Sequence, residues 1–205
     1  MAVITISRQY GAGGKTLGNM IAAELGYEFG DSDIIAKVAE MANVSTHWVE
    51  TVENEAGGKL SRFITRMVSK PLVERILKDE RGYIDEKIYL DYLVLIIAQI
   101  ADEGNVVILG RGSQYILNDH PDAFHILMID DFANRVRFMK QHYDLSESRA
   151  AKVVRGEDKR RKALYQKLGK TDYDDPFLYH LVLNMSKLSL EEAKKIVSSR
   201  VLSQT

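Results

Sequence analysis

Residues near the start of the chain, Ser7-Arg8-Gln9-Tyr10-Gly11-Ala12-Gly13-Gly14-Lys15-Thr16, place three glycines in four positions directly before a lysine and a hydroxyl. Glycine reaches backbone dihedrals that other residues avoid, and successive N–H groups in such a loop converge on an anion. A helix that follows adds its own unpaired N–H groups and the positive end of its dipole. Lys15 supplies a mobile positive charge for phosphate oxygens, and Thr16 a hydroxyl of the kind that ligates Mg²⁺. The pattern GxxxxGK[ST] fits Gly14-Lys15-Thr16 but asks for glycine where Gln9 stands. Shifted by one, GAGGKT aligns with the form GAGKGT; Arg8 then replaces the first glycine, and lysine and glycine exchange places. The plain alternative is a Gly-rich turn from strand to helix carrying an exposed lysine.

A second group of cations stands further along. Arg111 lies in Gly110-Arg111-Gly112, just after a compact apolar run. Its planar fork suits bidentate contact with phosphate, or pairing with a carboxylate at a sheet end. Lys152–Lys162 holds Arg155, Lys159, Arg160, Arg161 and Lys162 within about three helical turns. Alone such a run is a solvated helix face; beside a phosphate loop it is a candidate lid, closing cations over a reacting phosphate and excluding water. Asp31 is open between a helix N-cap, a contact to an acceptor and a carboxylate holding water on Mg²⁺, whereas Asp130 and Asp131 read as N-caps. Tyr10 and Tyr165 are open between base stacking and packing, and Trp48 belongs to an apolar helical pattern.

These residues need elements to hold them. Residues 2–7 read as a β-branched strand and 16–25 as a helix closed by Gly26, with a short strand over 27–29. Helical pieces follow over roughly 33–42, 45–56, 60–79 and 85–102. Compact apolar runs at 106–109, 125–129 and 181–185 read as strands, and 131–143 as a helix. Ser189-x-x-Glu192 is a capping-box pattern opening a helix over 190–200. Short apolar strands separated by helices predict a parallel sheet covered on both faces, with ligands beyond the strands' carboxyl ends.

Composition narrows the classes. Net charge is −1 with 45% hydrophobic and 28% charged residues, an ordinary globular balance with no basic field for nucleic acid. The absence of cysteine removes disulfides, thiolate nucleophiles and thiolate zinc sites. The longest apolar stretch, 92–101, has about half the length of a membrane span, and the N-terminus carries no signal-peptide pattern. The expectation is a cytoplasmic single domain over 1–205 that acts on small molecules, with no membrane or nucleic-acid partner.

The loop, FGDSDII at 29–35, VVILGRGSQYIL at 106–117 and the basic segment near 155–161 resemble, in this order, the cytidylate kinases. The likeness is greatest to the divergent cytidylate kinase-like group, which opens with ISR(Q/E)(Y/F)GxGG. The resemblance implies a P-loop NTPase three-layer sandwich on a five-stranded parallel sheet. It adds a helical acceptor-binding insertion over about 33–102 and a lid over about 144–168. It implies Mg²⁺-dependent transfer of the ATP γ-phosphoryl group to CMP or dCMP.

By position, Gly11, Ala12, Gly13, Gly14, Lys15 and Thr16 correspond to the donor loop, with Thr16 toward the metal. Asp31 and Ser32 correspond to a pair facing the acceptor, and Lys37 to an acceptor-binding arginine. Arg111 matches an arginine that holds the acceptor. Asp158 and Arg161 match a lid pair in which the aspartate meets the acceptor ribose and the arginine meets phosphate. Lys15, Arg111 and Arg161 are thus the catalytic candidates. Gly112 stands where the family has aspartate, which leaves open a P-loop kinase for another small acceptor. The altered loop leaves open a nucleotide-binding regulatory protein without catalysis.

Overall fold

Alternating branched residues in VITISR make β1 (Val3–Arg8), buried from Val3 to Ser7. In the computed structural model, which describes residues 2–31 and 86–203, β1 lies at the centre of a five-stranded parallel sheet. Its neighbours are β3 (Val106–Leu109) and β4 (Ala123–Ile129), in register at Ile4↔Val107 and Ile4↔Phe124. The order β2-β3-β1-β4-β5 is completed by β2 (Glu28–Gly30) and β5 (Leu181–Asn184). A strand covered on both faces reads as a near-continuous apolar run, which is how β1, β3 and β4 read in sequence. With β3 on one side of β1 and β4 on the other, strand order changes direction beside the loop leaving β1. That is where open α/β sheets bind ligands.

The chain forms two compact units, Met1–Phe29 with Asn105–Thr205, and Gly30–Gly104. The second spans the stretch read as a helical insertion. Ser32, Lys37, Trp48 and the helices expected over 33–42, 45–56 and 60–79 lie outside the described residues. Within this unit α2 (Glu86–Glu103) buries Leu93, Ile96, Ile97 and Ile100, at the spacing of one helix face.

In the first unit α1 (Gly14–Leu25) starts two residues before the expected 16, because Gly13 takes a left-handed conformation (φ 82°) and caps it. Leu17 and Ile21 of α1 and Val197 and Val201 of α6 (Leu190–Leu202) share one core with Ile4, Ile6, Ile126 and Met128. The Ser189/Glu192 capping box is formed in both directions. A short α3 (Ser113–Ile116) follows β3. Then α4 (Phe132–Tyr143) and α5 (Glu147–Lys167) close a smaller cluster of Val136, Met139, Ala150 and Val154, against which Tyr10 packs.

The acidic pair before α4 departs from its expected role. Asp131 occupies the N-cap position but its side chain makes no cap hydrogen bond. Asp130 instead accepts from Ser186 Oγ at 2.9 Å and Asn134 Nδ2 at 3.2 Å, so the pair joins the ends of β4 and β5. Among the described residues no helix is long and apolar enough to cross a membrane.

Candidate active site

The loop from β1 to α1 is shaped by its neighbours as much as by its glycines. Gly11 has φ 87°, and a Cβ there would stand 3.0 Å from both Cβ and the carbonyl oxygen of Arg135, so a larger residue would be strained and would push on Arg135. Gln9, in the place of the motif's first glycine, accepts the Asp130 N–H at 3.0 Å and donates its own N–H to Met128 O at 3.0 Å. The departure from the motif is therefore a tie between the loop and the end of β4. Among the described residues, nothing accepts a hydrogen bond from the N–H groups of Gly11, Gly13, Gly14 or Thr16. Lys15 and Thr16 are exposed in the first turn of α1. Unaccepted donors at the positive end of a twelve-residue helix, beside an exposed lysine and hydroxyl, fit a nucleotide's phosphates with Mg²⁺.

Arg8 adds a cation that the sequence reading treated only as a replaced glycine. A Cβ at Gly14 would lie 2.9 Å from Arg8 Cγ, and one at Gly110 would collide with Arg8 Nη1. The side chain thus runs from the end of β1 past α1 to the loop after β3. In that loop Gly110, Arg111 and Gly112 all have positive φ, 71°, 60° and 71°. Left-handed backbone at an arginine costs ~1–2 kcal/mol. Such strain collects where a side chain must be aimed. Gly112 carries the family's aspartate position, and a Cβ there would collide with Leu168 Cδ1.

The lid candidates separate into two groups. Asp158 accepts from Arg135 Nη1 at 2.6 Å and from the Tyr10 N–H at 2.9 Å, and the same Nη1 donates to Tyr10 O at 3.2 Å. The cavity at this point, about 480 Å³, is lined by Phe132, Arg135, Arg155, Asp158, Lys159 and Lys162. Four cations against one carboxylate make it a place for an anion, and Arg155 stacks on the Phe132 ring at 4.7 Å. Arg135 Nε is buried without a hydrogen-bond acceptor among the described residues.

Arg161 is not in that lining. It makes a bidentate pair with Asp174, at 2.5 and 2.8 Å, with side chains 11% and 21% exposed. Burial works against its charge, but the hydrogen bonds and charge of Asp174 outweigh this and hold it more firmly protonated than an ordinary arginine. Around it, Tyr165 is fully buried, edge-on to Tyr115 at 5.2 Å. The phenols of Tyr115 and Tyr179 are pushed up, first by burial, and stay neutral.

The structure therefore brings the glycine loop, Asp158 and the cations of α5 together, and sets Arg161 against Asp174. Asp31 is half-buried in the second unit. Sequence reasoning passed over Arg135, whose signal was its place on the apolar stripe of α4 with Phe132, Val136 and Met139. Asp174 carried no such signal.

A model of the cytidylate kinase-like family matches residues 3–187. The chain belongs to this family. No curated protein matches it. Among solved structures it is similar to an uncharacterized protein from Eubacterium ventriosum, with TM-score 0.66, 17% identity and 98% of each chain covered. It is similar also to shikimate kinase from Bacteroides thetaiotaomicron, with TM-score 0.52, 15% identity and 98% of each chain covered. A third is shikimate kinase from Acinetobacter baumannii in complex with shikimate, with TM-score 0.51, 13% identity, and 100% of this chain and 95% of that one covered. At these identities the likeness is one of fold, that of the P-loop kinases.

Proposed function

We propose that this member of the cytidylate kinase-like family transfers the γ-phosphoryl group of ATP to a nucleoside monophosphate, CMP or dCMP. The observation that carries the reading is the loop Gly11–Thr16, whose unaccepted N–H groups meet the positive end of α1 beside Lys15. In the reaction an oxygen of the acceptor phosphate bonds to the γ-phosphorus while the bond to the β,γ-bridging oxygen breaks. ADP leaves with the electron pair. Such transfer asks the protein for alignment and positive charge.

Gly11, Ala12, Gly13 and Gly14 would hold the donor phosphates, and Lys15 the charge developing on them. Thr16 would hold Mg²⁺, which when bound neutralises phosphate charge. Arg111 would grip the acceptor phosphate, and Asp31, Ser32 and Lys37 are the acceptor-side candidates from the family resemblance. Arg161 already shares its charge with Asp174, and Asp158 is already held by Tyr10 and Arg135, so either would meet a substrate with the donors or lone pairs that remain.

One observation favours a different small acceptor: an aspartate at position 112 would have to displace the Leu168 side chain, and φ there suits glycine. The test is ATP consumption with Mg²⁺ across nucleoside monophosphates and other small phosphate and hydroxyl acceptors, beside a Lys15→Ala control. Turnover with CMP or dCMP that collapses in the control supports the reading. Turnover only with another acceptor replaces it, and ATP binding without any turnover leaves a nucleotide-binding protein without catalysis.

A further inference from the structure

The Tyr10 backbone is held on both sides of its α-carbon by side chains from two helices. Asp158 of α5 takes its N–H at 2.9 Å, and Arg135 of α4 donates to its C=O at 3.2 Å. The two side chains are joined at 2.6 Å, and they are only 22% and 9% exposed. Tyr10 immediately precedes Gly11, where an added Cβ would stand 3.0 Å from the carbonyl oxygen of Arg135 itself. The middle of the loop is thus fixed from outside at the residue where it turns toward the four unaccepted N–H groups.

From this geometry we propose that Asp158 and Arg135 are positioning residues for the phosphate loop, coupling its shape to the placement of α5. The proposal deepens the phosphoryl-transfer reading and rests on it. It differs from the role the family resemblance gives Asp158, contact with the acceptor ribose. Asp158 on the Tyr10 N–H holds the Gln9–Tyr10 peptide and Arg135 on the Tyr10 C=O holds the Tyr10–Gly11 peptide, so the ion-paired side chains together fix both planes that flank the Tyr10 α-carbon. Movement of α5 that withdraws Asp158 returns the Tyr10 N–H to the loop's set of anion donors. The cations of α5 at the same cavity, Arg155, Lys159 and Lys162, move with it. Loop shape and lid charge then change in one step.

The deciding measurement is Mg-ATP affinity with no acceptor present, on the full chain, for wild type, Asp158→Asn, Arg135→Lys and the double variant. Each single variant is expected to weaken binding by roughly tenfold, in the range of ordinary coupling between linked sites. The double variant is expected to be no worse than the singles, because the two residues hold Tyr10 as one ion-paired unit that either change breaks. Unchanged ATP affinity with a raised acceptor KM in Asp158→Asn would overturn the proposal in favour of the ribose contact. Tenfold effects that multiply in the double variant would also overturn it, since the two residues would then act separately. Amide exchange at Tyr10 in the ligand-free protein, read by NMR, tests the clamp apart from the ATP reading. It should accelerate in both variants while exchange in β3 and β4 stays as in wild type, and unaltered Tyr10 exchange would remove the clamp. If wild type binds no ATP while Tyr10 exchange still responds, the clamp stands as a structural tie, and both its positioning role and the phosphoryl-transfer reading fall.

Discussion

The loop Gly11–Thr16 and the Arg161–Asp174 region both carry the chemistry of phosphate recognition, and they are built in opposite ways. The loop is made of backbone: four N–H groups have no acceptor among the described residues. The second region is made of side chains: Arg161 is forked onto Asp174 and lies over the Tyr165 ring, while its Nε and the hydroxyls of Tyr115, Tyr165 and Tyr179 are buried without a hydrogen-bond partner among the described residues. A site for an external anion must keep its donors unspent, because a buried guanidinium without a carboxylate or phosphate is costly. In the first region the unaccepted donors are backbone N–H groups beside an exposed lysine; in the second the charge of the guanidinium is already paired with a carboxylate.

The largest expected effect tests the second region. Asp174→Ala leaves the Arg161 guanidinium buried without its carboxylate and should cost about 3–5 kcal/mol in urea unfolding. If Asp174→Ala unfolds as easily as wild type, the pair is not a structural latch and the contrast is lost. Arg161→Ala sharpens it further, assayed under conditions where it stays folded. Near-normal kcat there would remove Arg161 from the transfer step.

Lys15→Ala tests the first region. Turnover should fall about 10²–10³-fold, with the melting temperature unchanged, since Lys15 is exposed. A large drop in melting temperature would make the loop a structural element instead. Gly11→Ala comes next: a left-handed alanine pressed on Arg135 should cost ~1–3 kcal/mol and weaken ATP binding, measured as a smaller thermal shift on adding Mg-ATP.

The smallest effect separates both regions from the sheet beneath them. Burial, and then the charge of His180, lowers His125 from its usual 6.5 to about 4. Between those values the unfolded chain binds a proton that the folded chain refuses, so stability is full above about pH 6.5 and falls with pH toward 4. The slope should approach ~1.4 kcal/mol per pH unit. His125→Gln should flatten it in pH-dependent urea unfolding; an unchanged slope would place the acid sensitivity elsewhere.

Much of this was legible in sequence because it depends on local periodicity. The strands at 106–109 and 181–185, the Ser189/Glu192 box and Gly26 as a helix end all appear close to where the pattern put them. β4 begins two residues earlier than the apolar run suggested, at Ala123, because pairing with Val3 and Ile4 extends it. Within the candidate site, glycine spacing picked out the loop between β1 and α1. The role of Gln9 was hidden, since its partner Asp130 lies 121 residues away.

By itself, then, the sequence determined the strands and most helices among the described residues, the parallel α/β class and the loop, since each follows from spacing within a few residues. Only the tertiary structure decided which charges meet. Arg135 joins Asp158 across 23 positions, Asp158 joins Tyr10 across 148, and Arg161 is taken by Asp174. Ionic partners are chosen by geometry and shared burial, and neither is encoded in the identity of a charged residue or its neighbours along the chain.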